Sequence, residues 1–313
     1  MNPEQEFGRT LSLPEQFDQK GTLRIDNQDL DVVDIKPEHT KIEVPTFYAP
    51  GWALGPKTHK KAIIALAEGF ADEQGVKEGR RVLSIDAMHG IETAPHQDYS
   101  LAEMRKAAAL LAMLDDKGID KINAVVHSEG ALYVALAAKV DSKKRIRNLV
   151  LVDPAGMIGN DSLGRLARDF SKDMVLQGIR AIKNRNFGKT SIPQSIIEAS
   201  HTFLESPRKT TAEVIAIAKE QIHGILKELK AEGVGIAVVH GADDKAFPME
   251  RVQQTIAPVE DISKPSQSGR YKEMVDGFYS VEGTHNQIFI EPEKIMRVAD
   301  HALDALERKS QVK

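Results

Sequence analysis

The chain has 313 residues, of which 41% are hydrophobic and 28% are charged, and its formal net charge is −4. That length and balance are typical of a globular protein with one large domain or a domain and an insertion, and the lack of a basic excess argues against nucleic-acid binding. The sequence has no cysteine, which excludes disulfides, thiol catalysis and thiolate metal sites.

The N-terminus and the apolar stretches set an expectation for location. Residues 1–9 have neither a basic flank nor an apolar run, so a cleaved signal is not expected. The longest apolar stretch, residues 107–114, is far too short to span a bilayer. We therefore expect a cytoplasmic protein without a membrane span.

Short apolar runs typical of strands alternate with helical patterns along the chain. The predicted strands comprise residues 23–26, 30–35, 41–49, 81–86, 121–127, 147–153, 235–240 and 277–281. The predicted helices run from Pro56 to Gly75, from Ser100 to Gly118, onward from Gly130, from Thr210 to Gly233 and from Pro292 to Glu307. Two of these helices open with a capping-box pattern, at Ser100–Glu103 and Thr210–Glu213. This alternation predicts an α/β fold with a mostly parallel central sheet flanked by helices.

The alternation lapses between residues 154 and 235. Helical patterns cover residues 160–170, 172–186, 193–205 and the segment from Thr210, with no strand pattern among them. We therefore predict a core built from residues 1–153 and 236–313, with residues 154–235 inserted as an all-helical cap. Open α/β sheets bind ligands at the carboxyl ends of their strands, which is where such an insertion would lie.

The candidate nucleophile is Ser128, in the segment Val126-His-Ser-Glu-Gly130. This segment turns a buried strand into a helix across three residues, which strains the backbone of the middle residue and exposes its side chain, as in a Gly-x-Ser-x-Gly elbow. Val126 stands in place of the first glycine, which requires some opening between strand and helix, whereas Gly130 and Ala131 are small. Alone, the segment is equally compatible with a serine that caps a helix.

A serine hydroxyl needs a base within hydrogen-bond reach and a third group that orients the base. Asp244 follows one predicted strand, in the segment from Gly241 to Pro248, and His285 follows the last one, in Gly283-Thr-His. The order serine, aspartate, histidine along the chain is that of α/β hydrolases. Ser128, Asp244 and His285 are therefore the candidates for the nucleophile, the acid and the base.

Two other carboxylates compete with Asp244 for the place of the acid. Asp243 is its neighbour, and Asp153 ends the strand that precedes the insertion. The sequence contains no His-x-x-x-His motif, and we predict no metal site. Gly-rich phosphate-binding loops are absent from the sequence as well.

These motifs resemble those of the α/β-hydrolase superfamily, and the resemblance covers nearly the whole chain from about residue 40. Gly241 to Pro248 fits the family's Gly-x-x-Asp-x-x-x-Pro stretch, and Gly283-Thr-His285 approximates its Gly-x-x-His stretch. The resemblance implies that Ser128 is the nucleophile, His285 the base and Asp244 the acid. It implies no cofactor.

The same resemblance implies an oxyanion hole formed by the backbone N–H groups of Trp52 and Glu129. Trp52 follows Pro50-Gly51, where many relatives have His-Gly, and a backbone donor survives the loss of that histidine side chain. The carboxylate of Glu129 would oppose a developing oxyanion. We therefore expect it to point away from the site or to pair with a basic residue.

The activity implied by the resemblance is hydrolysis of a small-molecule carboxylic ester. The same triad serves amidases, peptidases, carbon–carbon bond hydrolases and acyltransferases, and a hydrolase-fold protein that binds a ligand without catalysis is a further alternative. Apolar side chains of the predicted cap are candidates for an acyl pocket, or else bury the cap against the core. They are Met157, Met174, Leu176, Ile179, Ile196, Phe203 and Ile217.

Overall fold

The computed structural model describes residues 11–25, 28–71, 74–86, 99–159, 161–183, 190–205, 207–256 and 274–311. The strands, in chain order, are β1 (Gly21–Ile25), β2 (Gln28–Ile35), β3 (Thr46–Ala49), β4 (Phe70–Ala71), β5 (Lys77–Glu78), β6 (Val82–Ile85), β7 (Ile122–His127), β8 (Ile146–Val152), β9 (Gly235–Gly241) and β10 (Gly277–Val281). The helices are α1 (Leu13–Asp18), α2 (Lys60–Glu68), α3 (Tyr99–Asp116), α4 (Gly130–Val140), α5 (Leu163–Lys183), α6 (Ile192–Glu205), α7 (Pro207–Lys219), α8 (His223–Ala231), α9 (Met249–Ile256) and α10 (Pro292–Gln311).

In the described part of the chain, eight strands form one sheet in the order β1-β2-β6-β3-β7-β8-β9-β10, and β4 pairs with β5 in a separate hairpin. The pairs β1–β2 and β2–β6 are antiparallel, whereas every pair from β6 to β10 is parallel. The predicted mostly parallel sheet flanked by helices is therefore confirmed.

The sheet is covered on both faces, as parallel strands require. β3, β6 and β7 are buried along their whole length. One core cluster joins the sheet to α3, α4 and α8, and a second joins it to α1, α2 and α10. Because both faces are apolar, the sites open to ligands are the ends of the strands.

The helices α5, α6 and α7, called the inserted helices below, lie between β8 and β9 in the chain. α7 packs against α3, α5 and α6, whereas α8 packs against α4 and β9. The division into a core of residues 1–153 and 236–313 and a cap of residues 154–235 stays a prediction. None of the helices described is long and apolar enough to cross a membrane.

The helix predicted from Thr210 to Gly233 is wrong at its start and in its middle. α7 begins at Pro207, whose missing N–H is no loss in a first turn, so Thr210 lies inside the helix. The predicted helix is interrupted between α7 and α8, where the N–H of Ile222 donates to the carbonyl of Gly156 at 3.1 Å. A capping-box pattern describes four residues and cannot register that distant contact.

Other boundaries also differ from the prediction. The segments 160–170 and 172–186 form the single helix α5. Helix α2 begins at Lys60 rather than at Pro56. The β4–β5 hairpin was not predicted, because strands of two residues are too short to show a period.

Candidate active site

The predicted site residues all lie at the carboxyl ends of parallel strands. Trp52 follows β3, Ser128 follows β7, Asp153 follows β8, Asp244 follows β9 and His285 follows β10. Parallel strands end at the same edge of a sheet, so residues far apart in sequence meet there. The structure brings Ser128, His285 and Asp244 into direct contact.

Ser128 has the strained backbone expected of a nucleophile elbow. Its φ is 54°, in the left-handed region that non-glycine residues rarely adopt. The N–H of Ser128 donates to the carbonyl of Val152 at 2.9 Å, and the N–H of Ala155 donates to the carbonyl of Ser128 at 3.0 Å. Two hydrogen bonds, one to the last residue of β8 and one to the segment after it, thus hold a conformation that costs free energy by itself.

Small residues around the elbow accommodate Val126. It is fully buried, pairs with Ala49 of β3 and belongs to the same core cluster as Ala131. Gly130 is the position that permits the close approach of α4, because a Cβ there would lie 2.9 Å from the Ala49 Cβ and 3.0 Å from the Pro50 carbonyl oxygen. A glycine is therefore needed at position 130, two residues after Ser128, whereas position 126, two residues before it, accepts a valine.

A hydrogen-bonded chain links the three predicted triad residues. The Nε2 of His285 lies 3.0 Å from the Oγ of Ser128, and its Nδ1 lies 3.0 Å from the Oδ2 of Asp244. All three side chains are buried. The other oxygen of Asp244 accepts the N–H of Phe247 at 2.8 Å, which fixes the carboxylate toward the histidine. This arrangement matches that of a nucleophile, its base and an orienting acid.

The alternative acids occupy other places. Asp243 is partly exposed, and its N–H donates to the carbonyl of Gly283 at 2.8 Å. Asp153 is buried beside the triad, where its Oδ1 accepts the N–H of Gly241 at 2.7 Å and lies 3.4 Å from the Nδ1 of His240. Asp244 is thus the carboxylate hydrogen-bonded to His285, and Asp153 lies behind it.

The charges around His285 favour its protonated form. Burial disfavours the imidazolium, but the carboxylates of Asp244, Asp153 and Asp173 outweigh burial and raise the pKa of His285 to about 9. The neighbouring His127 behaves in the opposite way, because burial lowers its pKa well below the usual value. The carboxylates around His285 therefore stabilise the imidazolium that forms when it takes up a proton.

The two predicted oxyanion donors are the backbone amides of Trp52 and Glu129. In the part of the chain that the structure describes, the N–H groups of Trp52 and Glu129 donate to no protein acceptor. Gly51 brings the Trp52 loop against the elbow, since a Cβ at Gly51 would lie 3.2 Å from the Cβ of Ser128 and 2.9 Å from the Nδ1 of His127. An oxyanion hole requires donors without a protein acceptor beside the nucleophile, and the assignment of these two amides stays a prediction.

The carboxylate of Glu129 points away from this site and pairs with a lysine, as expected. Its Oε1 lies 2.6 Å from the Nζ of Lys106, and both side chains are buried. Lys106 also lies 3.0 Å from Glu213 of α7 and 3.6 Å from Glu103 of its own helix. The two glutamates of the predicted capping boxes thus form a buried ionic cluster instead.

The sequence model of the α/β hydrolase fold matches residues 50–258. The chain belongs to this family. No curated protein matches it in sequence.

Several solved structures share the hydrolase fold. A bromoperoxidase from Bacillus anthracis has a TM-score of 0.62 at 15% identity, over 91% of this chain and 99% of that one. An esterase from Thermogutta terrifontis has a TM-score of 0.58 at 16% identity, over 92% and 99%. An enol-lactonase from Burkholderia xenovorans has a TM-score of 0.58 at 13% identity, over 91% and 100%. At these identities the similarity establishes the fold and not the reaction.

Three side chains of the hydrolase core come close enough to share a metal ion. Asp153, His240 and Asp244 place three possible ligand atoms within 4.8 Å of one another. Each has protein partners: the Nε2 of His240 donates to the Phe247 carbonyl at 2.8 Å, and both oxygens of Asp244 accept hydrogen bonds. We interpret this cluster as the support of His285.

A cavity of about 100 Å³ lies beside Ser128 and His285. Its lining residues are Gly51, Trp52, Leu54, His127, Ser128, Phe170, Ile192, Ser195, Ile196, Ala199, His285, Asn286 and Phe289. Apart from the histidines, this lining has no ionisable side chain. The cavity therefore suits a small, uncharged, apolar group.

The predicted acyl-pocket residues divide into different environments. Ile196 lines the cavity, whereas Phe203 and Ile179 are exposed and Met157 and Ile217 belong to the core cluster. The side chains of Met174 and Leu176 lie outside the described part of the structure.

Sequence reasoning did not identify Lys106, Asp173 or Glu198 as neighbours of the site. Asp173 accepts the N–H of His285, and Glu198 accepts the N–H of Gly55. The available signal was an ionisable residue among apolar neighbours in a helix, as in Ile196-Ile-Glu-Ala199.

Proposed function

We propose that the protein hydrolyses a carboxylic ester through an acyl-enzyme on Ser128. The observation that carries the proposal is the chain of two 3.0 Å contacts from Ser128 through His285 to Asp244, beside two free amides. Serine is a weak nucleophile at neutral pH, and such a chain is what activates it.

The proposed reaction begins when His285 accepts the Ser128 proton at Nε2 as Oγ attacks the ester carbonyl. The N–H groups of Trp52 and Glu129 hold the oxyanion, and Asp244 stabilises the imidazolium through the proton on Nδ1. The imidazolium then gives its proton to the leaving alkoxide. Water repeats the cycle and releases the acid, which restores Ser128.

The cavity supports a short, uncharged acyl group. A dry apolar cavity of about 150 Å³ holds a benzene molecule, so a cavity of about 100 Å³ holds a smaller group. We expect kcat/KM for p-nitrophenyl esters to be highest for acyl chains of about two to four carbons and to fall at least about tenfold by octanoate. The matched anilides separate an esterase from an amidase.

The test of the mechanism is labelling with a fluorophosphonate, followed by mapping of the adduct by mass. We expect one adduct, on Ser128, which is lost in Ser128→Ala and His285→Ala. The control Ser171→Ala removes an exposed serine of α5 and should label like the wild type. No adduct, or an adduct on Ser195 in the same cavity, would contradict the proposal.

A further inference from the structure

Each inserted helix directs one acidic side chain at a different loop of the proposed active site. Asp173 lies on α5, Glu198 on α6 and Glu213 on α7. They contact the His285 loop, the Trp52 loop and, through Lys106, the elbow. Asp173 and Glu213 are fully buried, and Glu198 is partly buried.

Glu198 holds the loop that carries the Trp52 amide. Its Oε1 accepts the N–H of Gly55 at 2.5 Å, and its Oε2 accepts the hydroxyl of Thr58. Ala53, next to Trp52, has a φ of 58°, a conformation that persists only when its surroundings impose it. Helix α6 therefore supplies part of the support that keeps this strained loop in place.

The same helix makes a further contact with this loop. The hydroxyl of Thr202 lies 3.3 Å from the carbonyl oxygen of the strained residue, Ala53. Glu198 and Thr202 are one helical turn apart, so one face of α6 contacts residues 53–58. A shift of α6 would move the Trp52 donor relative to Ser128.

Asp173 holds the loop that carries the base. Its Oδ1 accepts the backbone N–H of His285 at 3.3 Å, and its Oδ2 lies 3.4 Å from the Nδ2 of Asn286. Its charge also faces the imidazole. The titratable groups that act on His285 are Asp244 and His240 from β9 and its loop, Asp153 after β8, His127 of β7 and Asp173.

Glu213 reaches the elbow through one intermediate residue. It lies 3.0 Å from the Nζ of Lys106, which lies 2.6 Å from the Oε1 of Glu129. The backbone N–H of Glu129 is the second proposed oxyanion donor. Helix α7 is thus tied to the elbow by buried ionic contacts.

We propose that Asp173, Glu198 and Glu213 are positioning residues, through which the active geometry depends on the docking of the inserted helices. This inference rests on the proposed function, because it assigns roles to loops that matter only if Ser128 reacts. Displacement of an oxyanion donor or of the base weakens the transition state more than the substrate complex. The effect should therefore appear in kcat and not in KM.

The experiment compares Glu198→Gln with Glu205→Gln, which changes an exposed glutamate of the same helix. For Glu198→Gln we expect kcat for a short-chain ester to fall about 10- to 100-fold, KM to stay within about twofold, and fluorophosphonate labelling to slow in parallel. Glu205→Gln should retain wild-type values. If Glu198→Gln does not fold, Thr58→Val removes one donor to the same carboxylate and takes its place.

Asp173→Asn provides an independent readout, since it removes one negative charge that faces His285. The pKa of His285 should fall, so we expect the rise of kcat/KM with pH to occur at lower pH in Asp173→Asn. Glu198→Gln should leave the position of that rise unchanged. The positioning role is overturned if Glu198→Gln raises KM and leaves kcat unchanged. It is also overturned if Glu198→Gln and Glu205→Gln lower kcat equally. A wild-type protein that neither labels nor hydrolyses esters overturns the proposed function itself.

Discussion

Substitution of Lys106 tests whether the buried ionic cluster stabilises the protein. The Nζ of Lys106 lies 2.6 Å from Glu129 and 3.0 Å from Glu213, and the lysine side chain is 1% exposed. Burial, with the nearby charge of Glu129, raises the pKa of Glu103 well above its usual value, which favours the neutral form of this carboxyl. The lysine therefore faces two carboxylates that have left water.

Lys106→Met keeps much of the side-chain volume and removes the cation. Removing one partner of a buried ion pair costs about 3–5 kcal/mol, because the remaining charge stays buried without a counter-ion. We expect the free energy of unfolding at pH 7 to fall by that amount.

The assay is urea unfolding, with the midpoint and the m-value recorded together. The control is Lys139→Met, which breaks an exposed pair with Glu228 and should change stability by less than about 1 kcal/mol. The double variant Lys106→Met/Glu129→Gln should recover part of the loss. A loss below about 1 kcal/mol for Lys106→Met, or no recovery in the double variant, would refute this reasoning.

Other predictions follow from the site. If neutral His285 is the base, kcat/KM should rise about tenfold per pH unit toward a plateau near its pKa of about 9; a plateau already at pH 7 would exclude that pKa. Because this pKa is raised from 6.5, its contribution to stability is complete below pH 6.5 and is lost as the pH rises to about 9, which urea unfolding can follow. Gly51→Ala places a Cβ 2.9 Å from the His127 ring and should lower kcat at least about tenfold, with a cooperative unfolding transition as evidence of an intact fold; a wild-type kcat would contradict this prediction. Gly130→Ala places a Cβ 2.9 Å from that of Ala49 and should cost about 1–3 kcal/mol of stability; wild-type stability would show that α4 can shift.

The sequence alone identified the side chains that meet at the site, because their positions follow a topological rule. Ser128, Asp244 and His285 each come directly after a strand, and parallel strands end at one edge of a sheet. Asp244 could not be separated from Asp243 in the same way. Both lie in one loop, and the hydrogen bond from Phe247 to Asp244 is what directs that carboxylate toward His285.

The two capping-box predictions show the limit of local patterns. Ser100–Glu103 and Thr210–Glu213 match the pattern of a helix start, yet both glutamates lie within 3.6 Å of Lys106. A capping box relates residues three positions apart. That spacing carries no information on whether a glutamate will be buried next to a lysine of another helix.

The strand–helix alternation and the strand–turn–helix at Ser128 were determined by the sequence itself, because hydrophobic period and turn chemistry act between near neighbours. The tertiary structure decided which carboxylate binds His285, how Val126 is accommodated, and which side chains of the inserted helices contact the loops. These outcomes depend on the distance between elements that are remote in the chain. Such distances are set by packing, which no short segment contains.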